Sequence, residues 1–255
     1  MREVFVSGKT LPEAYHRSLD NLLYYGEETP CPDYNTNQIE CSMTFTVENP
    51  LQEPMISKCM IGGEQDLQQY VMEMLDGILD FEVEKGNWDY TYHQRMENQI
   101  DFIIDELKRN PSSRRAVINV RDNDKDMYSN DPACLQNIQF FIRDKKLHMK
   151  VLFRSNDACK ATFMNAFALI MLQKKIADRL EIGVGSYTHR ANSYHCYERD
   201  YGLLKGYVKR IRQGDTVEDN ILTYNYEGDW KITMKESIPA IIEKVNKLKE
   251  RNNAD

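Results

Sequence analysis

No run of apolar residues approaches the roughly 20 that a membrane-spanning helix needs. The opening Met1-Arg2-Glu3-Val4-Phe5-Val6 also lacks the long apolar stretch of a secretory signal. No Cys-x-x-Cys occurs, and the six cysteines, at positions 31, 41, 59, 134, 159 and 196, are too dispersed for a metal ribbon. Free thiols in a reducing compartment follow, so a cytoplasmic protein with no metal and no membrane partner is expected. Positive charge is in short supply: 33 Lys and Arg face 40 Asp and Glu, a formal charge of −7. That balance argues against a nucleic-acid partner held by a basic face. Any phosphate held here is expected to meet a local arginine cluster instead. No repeat, low-complexity tract or flexible linker divides the chain. Its 255 residues are therefore read as one α/β domain spanning 1–255.

What is present is a regular alternation of strand and helix signals. Val4 to Gly8 reads as a short strand, and Leu11 to Tyr25 as a helix stopped by Gly26. Residues 27–40, rich in Pro, Asp, Asn and Thr, read as a loop before a strand at Met43 to Val47. Helical spacing follows from about Gln65 to Leu79 and again from Glu97 to Arg109. Ala116 to Val120 is a candidate buried strand. Ile138 to Arg143 and Leu147 to Arg154 form the clearest hairpin, turned at Asp144-Lys145-Lys146. Leu147, Met149, Val151 and Phe153 share one face of its second strand, while His148, Lys150, Leu152 and Arg154 share the other. Ala161 to Leu180 is a largely apolar, central helix, and Tyr201 to Gln213 and Glu236 to Arg251 are amphipathic ones.

Against this frame the chemically informative residues fall at strand ends and helix starts. Cys134 precedes the first hairpin strand and Arg154 ends the second. A lone cysteine there is either a small buried hydrophobe or a thiolate held by a nearby cation. The candidate cations are Arg154 and the pair Arg114-Arg115, whose guanidinium forks suit phosphate oxygens. Asn165, near the start of a buried helix, needs partners for its carboxamide and could read the edge of a base. His195 and Tyr197, two apart in a strand, share a face and could grip adjacent sugar hydroxyls.

Taken together, these residues resemble the folate-dependent thymidylate synthase family, which includes the pyrimidine nucleotide hydroxymethylases. The likeness runs from about Tyr90 to Asp200 and is closest to the archaeal-type members. Ser113-Arg114-Arg115 is similar to the family's phosphate-binding arginine pair, given across a dimer interface. Cys134 falls at the nucleophile's place, although Ala133 separates it from Pro132, and Gln139 matches a glutamine shortly after. Arg154-Ser155-x-Asp157 resembles the signature in which arginine and serine hold phosphate and the aspartate meets the pterin. Asn165 stands at the uracil-selecting asparagine, and His195-x-Tyr197 at the pair that binds the 3′-hydroxyl. Tyr90-Thr91-Tyr92 and Arg95 resemble an upstream tyrosine segment, which makes Tyr92 a further candidate.

The resemblance implies a single-domain fold with a central mixed sheet flanked by helices, and a homodimer in which Arg114 and Arg115 serve the partner's site. It implies that Cys134 adds to C6 of dUMP and that C5 takes a one-carbon unit from 5,10-methylenetetrahydrofolate or a related pterin, giving dTMP. The alternatives are a dUMP or dCMP 5-hydroxymethylase of the same family and a nucleotide-binding relative without catalysis. Departures from the pattern bear on that choice. Leu135 and Asn156 replace a common histidine and cysteine. The family's water-ordering glutamate has no clear counterpart; Tyr70 is best aligned with it and Glu73 is the nearest acid. The end, Lys249-Glu250-Arg251-Asn252-Asn253-Ala254-Asp255, is charged where family synthases carry an apolar tail.

Overall fold

A computed structural model describes residues 1–214 and 221–251. In chain order the first elements are β1 (Glu3–Gly8), α1 (Leu11–Tyr25), β2 (Glu27–Cys31), β3 (Thr36–Val47), β4 (Ile56–Ser57) and α2 (Glu64–Asp76). Next come α3 (Phe81–Glu84), α4 (Tyr92–Arg109), β5 (Val117–Asn119), α5 (Asn123–Asp126), β6 (Leu135–Arg143) and β7 (Lys146–Asp157). The last are α6 (Thr162–Arg179), β8 (Gly183–Tyr197), α7 (Tyr201–Gln213), β9 (Thr223–Tyr224) and α8 (Lys231–Arg251).

The β6–β7 hairpin turns through Asp144 and Lys145, both with positive φ (51° and 57°). Such a pair matches the right-handed twist of the strands it joins. The alternation along β7 is the one expected: Leu147, Met149, Val151 and Phe153 are buried, while His148, Leu152 and Arg154 are half-buried and Lys150 is exposed. From β7 the chain crosses through α6 to β8, which lies parallel to it. Parallel neighbours require such a crossover. Because α6 is covered on several sides, its buried residues run nearly without interruption: Phe163, Ala166, Phe167, Leu169, Ile170 and Leu172. The fully buried Gln173 closes the unit, its Nε2 donating to the carbonyl oxygens of Leu147 (2.7 Å), Gly185 (3.2 Å) and Ser186 (3.2 Å).

The resulting seven-stranded mixed sheet has the order β1-β3-β8-β7-β6-β5, with β2 beside β3. β1 and β3 are parallel, as are β7 and β8, and the remaining pairs are antiparallel. One continuous apolar cluster extends from Val4 to Met234. A smaller one, Met72, Leu79, Ile241 and Val245, fixes α8 against the α2–α3 region. Among the described residues no helix is long and apolar enough to cross a membrane.

Several boundaries differ from the sequence reading. α8 begins at Lys231 rather than Glu236, β6 begins at Leu135 rather than Ile138, and β7 runs on to Asp157. Three further differences have a clear cause. Residues 27–40 are not a loop: β2 and the start of β3 form a hairpin around Pro32–Tyr34, with Asn35 left-handed at φ 49°. Its polar composition reflects an outer strand with much of its surface in solvent. The helix expected to reach Leu79 ends at Asp76, where Gly77 adopts φ 63° and stops it. The helix expected from Glu97 begins at Tyr92, because the Thr91 hydroxyl accepts from the Gln94 amide and caps an earlier start.

Candidate active site

Two parallel strands set the site. In register, Ser155 of β7 lies opposite Ser193 of β8, Asn156 opposite Tyr194, and Asp157 opposite His195. Cys134 immediately precedes β6, and its carbonyl accepts from the Arg154 amide at 2.8 Å. The first turn of α6 supplies Asn165, α2 supplies Tyr70, the start of α4 supplies Tyr92, and the β2–β3 turn supplies Tyr34. These side chains surround a cavity of about 270 Å³. It therefore gathers Cys134, Arg154, Ser155, Asp157, Asn165, His195, Tyr197 and Tyr92 from the residues singled out in the sequence.

Cys134 is half-buried, and burial pushes its thiol above the ordinary value; the Arg154 charge pulls it down and Asp131 pushes it up. The expected activation by Arg154 has the right direction, but desolvation outweighs it. Part of the reason is where the guanidinium is engaged. Arg154 Nε donates to the Ala133 carbonyl (3.2 Å) and a terminal nitrogen to that of Pro132 (2.6 Å), so it braces the loop that presents the thiol.

His195 is 4% exposed, and its Nδ1 lies 3.4 Å from both the Ser155 hydroxyl and the Ser193 carbonyl oxygen. Its Nε2 is buried without a hydrogen-bond partner among the described residues. Burial lowers its pKa, against the opposing pull of Asp157. A neutral imidazole donating from Nδ1 leaves Nε2 as an unused acceptor inside the cavity. The Tyr197 ring packs edge-on against it at 4.7 Å and also meets Tyr34 at 5.3 Å.

Asp157 shapes the entry to α6: its Oδ1 accepts from the amides of Cys159 (2.9 Å) and Lys160 (2.8 Å). Asn165, 4% exposed, accepts at Oδ1 from the Tyr70 hydroxyl. Tyr92 accepts from the Leu135 amide at 3.3 Å, which secures the backbone just past the thiol.

A larger chamber of about 510 Å³ adjoins this cavity and shares Tyr70, Tyr92 and Asp131 with it. Met74, Leu79, Trp88 and Tyr90 give it apolar and aromatic walls, while Glu73 and Asp89 add acceptors. Glu73 lines this chamber and not the Cys134 cavity. Burial raises its carboxyl, opposed by the Gln69 amide that donates to it at 2.7 Å and by Lys244. Lys244 in turn reaches Gln69 at 2.9 Å, linking α8 to the chamber wall.

Arg114, Arg115 and Gln139 lie outside the cavity of a single chain. Both arginines are exposed, and Gln139 donates to the Arg114 carbonyl at 3.0 Å, tying their loop to β6. Arg154 also borders an open hollow of about 500 Å³ on the outer side of the sheet, with Arg121, Gln136 and Asn192. Away from these features, Asp80, His93 and Glu97 bring possible ligand atoms within 4.8 Å of one another. The imidazole itself bridges the two acids, 2.7 Å from Asp80 and 3.6 Å from Glu97.

Sequence reasoning missed Tyr34, Asp131, Asn156 and Ala161 as lining residues. Asp131 stands three positions before Cys134, but Tyr34 lay in the stretch read as loop and carried no periodic signal.

The family model for "Thymidylate synthase" matches residues 67–226. A protein of Methanocaldococcus jannaschii named "Putative thymidylate synthase" is 36% identical over 78% of this chain and 93% of its own length. A protein of the same name from Methanosarcina barkeri is 30% identical over 81% of this chain and 95% of its own. Among solved structures, thermostable thymidylate synthase A from Bacillus subtilis superposes with a TM-score of 0.65 at 18% identity, covering 79% of this chain and 84% of that one. That likeness is one of fold. A match over more than half the chain, joined to relatives similar along nearly their whole length, makes this chain a member of the thymidylate synthase family.

Proposed function

We propose that this protein transfers a one-carbon unit from 5,10-methylenetetrahydrofolate, or a related reduced pterin, to C5 of dUMP through a covalent Cys134 adduct, giving dTMP. The observation that carries the reading is the Cys134 cavity, where a thiol, an arginine, a carboxamide and an unpartnered imidazole nitrogen converge.

Each residue has a distinct task. The Cys134 sulfur adds to C6 of the pyrimidine, and the displaced electron pair moves to C5 and O4. Asn165 donates to O4, where negative charge develops, and accepts from N3–H. Arg154 and Ser155 hold the phosphate, and the Arg154 charge also pulls the thiol pKa down. His195 Nε2 accepts the 3′-hydroxyl, which supplies the partner that nitrogen lacks, with Tyr197 beside it.

The neighbouring chamber suits the donor: its aromatic walls offer stacking surface to a flat bicycle, and its carboxylates suit ring N–H and amino donors. Asp157 contributes from the cavity side. When bound there, the reduced pterin supplies the one-carbon unit and a hydride. Tyr70 and Tyr92, on the shared wall, orient the two substrates and keep water from C5. Loss of that exclusion would divert the activated carbon to a hydroxymethyl product.

Arg114 and Arg115 complete the phosphate site from a second copy of the chain, so the working unit is a homodimer of single catalytic domains spanning residues 1–255. Incubation of dUMP, dCMP, UMP and CMP with methylenetetrahydrofolate, followed by mass spectrometry, tests the reading. A methyl gain on dUMP is expected. A hydroxymethyl gain supports the second activity of the family, and absence of any product refutes catalysis.

A further inference from the structure

Tyr70 stands where the two chambers meet. It projects from α2 and lines both the Cys134 cavity and the larger chamber. Its hydroxyl donates to Oδ1 of Asn165, which lies deep in the fold on the first turn of α6. The two residues are 95 positions apart, so the bond joins two separately placed helices at the cavity wall.

A carboxamide offers an acceptor at one end and donors at the other, and a half-turn about its last bond exchanges them. An unrestrained asparagine can therefore meet a 4-oxo pyrimidine in one orientation and a 4-amino pyrimidine in the other. A donor fixed against the oxygen end removes that freedom. Tyr70 remains such a donor, because burial holds its hydroxyl well above the ordinary tyrosine value and the nearby Glu73 adds to the effect.

We infer that Tyr70 is the positioning residue that sets which pyrimidine this site accepts. By donating to Oδ1 of Asn165, it fixes the carboxamide so that the oxygen also accepts from ring N3–H and the nitrogen donates to a 4-oxo group. A 4-amino pyrimidine would set its N3 lone pair against Oδ1 and its amino hydrogens against the amide hydrogens, two mismatches at once. The inference rests on the reading that Asn165 faces the base edge. It assigns to Tyr70 a task that Asn165 cannot perform alone.

Calorimetric titration of dUMP and dCMP, without any pterin, tests this in the full-length protein and in Tyr70→Phe and Asn165→Ala. The unsubstituted protein is expected to favour dUMP by at least about tenfold, the scale of one hydrogen bond. Tyr70→Phe keeps the ring and its packing and is expected to lower the dUMP:dCMP ratio by about tenfold. Because the readout is a ratio, a modest loss of stability leaves it interpretable. A Tyr70→Phe protein with an unchanged ratio, while Asn165→Ala loses it, overturns the role of Tyr70 and spares the base-reading assignment. An unchanged ratio in Asn165→Ala overturns that assignment itself, and equal affinity of the unsubstituted protein for both nucleotides overturns the inference.

Discussion

Nε2 of His189 lies 2.9 Å from Oδ1 of Asn156, a residue of the cavity wall. Nδ1 of the same ring lies 2.8 Å from the Tyr187 hydroxyl, and Phe45 and Phe153 stack on its two faces at 4.6 and 4.7 Å. The Asn156 oxygen also accepts from the Thr162 hydroxyl at 2.9 Å. One neutral imidazole thus ties β7, β8 and the start of α6 together between Ser155 and Asp157. In the sequence, Asn156 looks like a minor replacement within Arg154-Ser155-x-Asp157. In the fold it is the joint that aligns that segment with His195, and its removal would leave buried polar partners unmatched.

The same arrangement makes stability depend on pH. Burial pushes the pKa of His189 from 6.5 down to about 3. The unfolded chain binds a proton near pH 6.5 that the folded chain refuses until about pH 3. Stability from this group is therefore complete above about pH 6.5 and falls with acidification towards pH 3, by up to about 1.4 kcal/mol per unit. His189→Gln removes the titration while keeping polar atoms near Asn156 and Tyr187. Its melting temperature is expected to be lower at pH 7 yet to fall less steeply between pH 6.5 and 4. Parallel melting curves for the two proteins across that range would sink the assignment.

Cys134 titrates in the opposite sense to catalytic need, since burial holds its thiol above the ordinary value in the free protein. The thiolate fraction, and with it kcat/KM, should climb roughly tenfold per pH unit through neutrality. Cys134→Ala is expected to abolish turnover and leave nucleotide affinity within a few fold. A flat profile between pH 6.5 and 8.5, or turnover by the alanine variant, would count against the nucleophile.

The helices α1 and α7 and the β6–β7 hairpin were legible because each carries its own period and its own stop signal. Gly26 ends α1, and Asp144 and Lys145 turn the hairpin. The hairpin at 27–40 was not legible. An outer strand with exposed polar residues lacks the apolar alternation that marks a strand, so Tyr34 stayed hidden with it. The candidate site was legible as short motifs beside β6, β7 and β8, which the antiparallel β6–β7 and parallel β7–β8 registers bring side by side. Tyr70 meeting Asn165, and Glu73 facing the other chamber, depend on how α2 packs on α6. That relation is long-range and leaves no local period.

Asn165→Asp tests the carboxamide directly. A protonated or N3-sharing carboxyl can pair with the 4-amino edge of cytosine, which the amide held by Tyr70 does not match. Preference is expected to move from dUMP towards dCMP, with activity on dUMP falling at least about a hundredfold, as the donor to O4 is replaced by a carboxylate oxygen that repels it. Competition between the two nucleotides, read by mass spectrometry, measures the shift. Unchanged selectivity would mean that Asn165 does not touch the base.

The exposed Arg114 and Arg115 give a test that no monomer can pass. Neither lines the Cys134 cavity of its own chain, while Arg154 does. If a second copy delivers them, each site is built from the thiol of one protomer and the arginines of the other. Cys134→Ala and Arg115→Ala proteins are then each expected to be nearly inactive alone. Mixed and allowed to exchange subunits, they form hybrids in which one site has lost both groups and the other retains both. Random exchange restores about a quarter of the native sites, and activity should rise to that level as hybrids form. Sedimentation should report a dimer throughout. Full activity from a monomeric species, or no recovery in a mixture whose hybrids are demonstrated by mass, would place the arginines outside the partner's phosphate site.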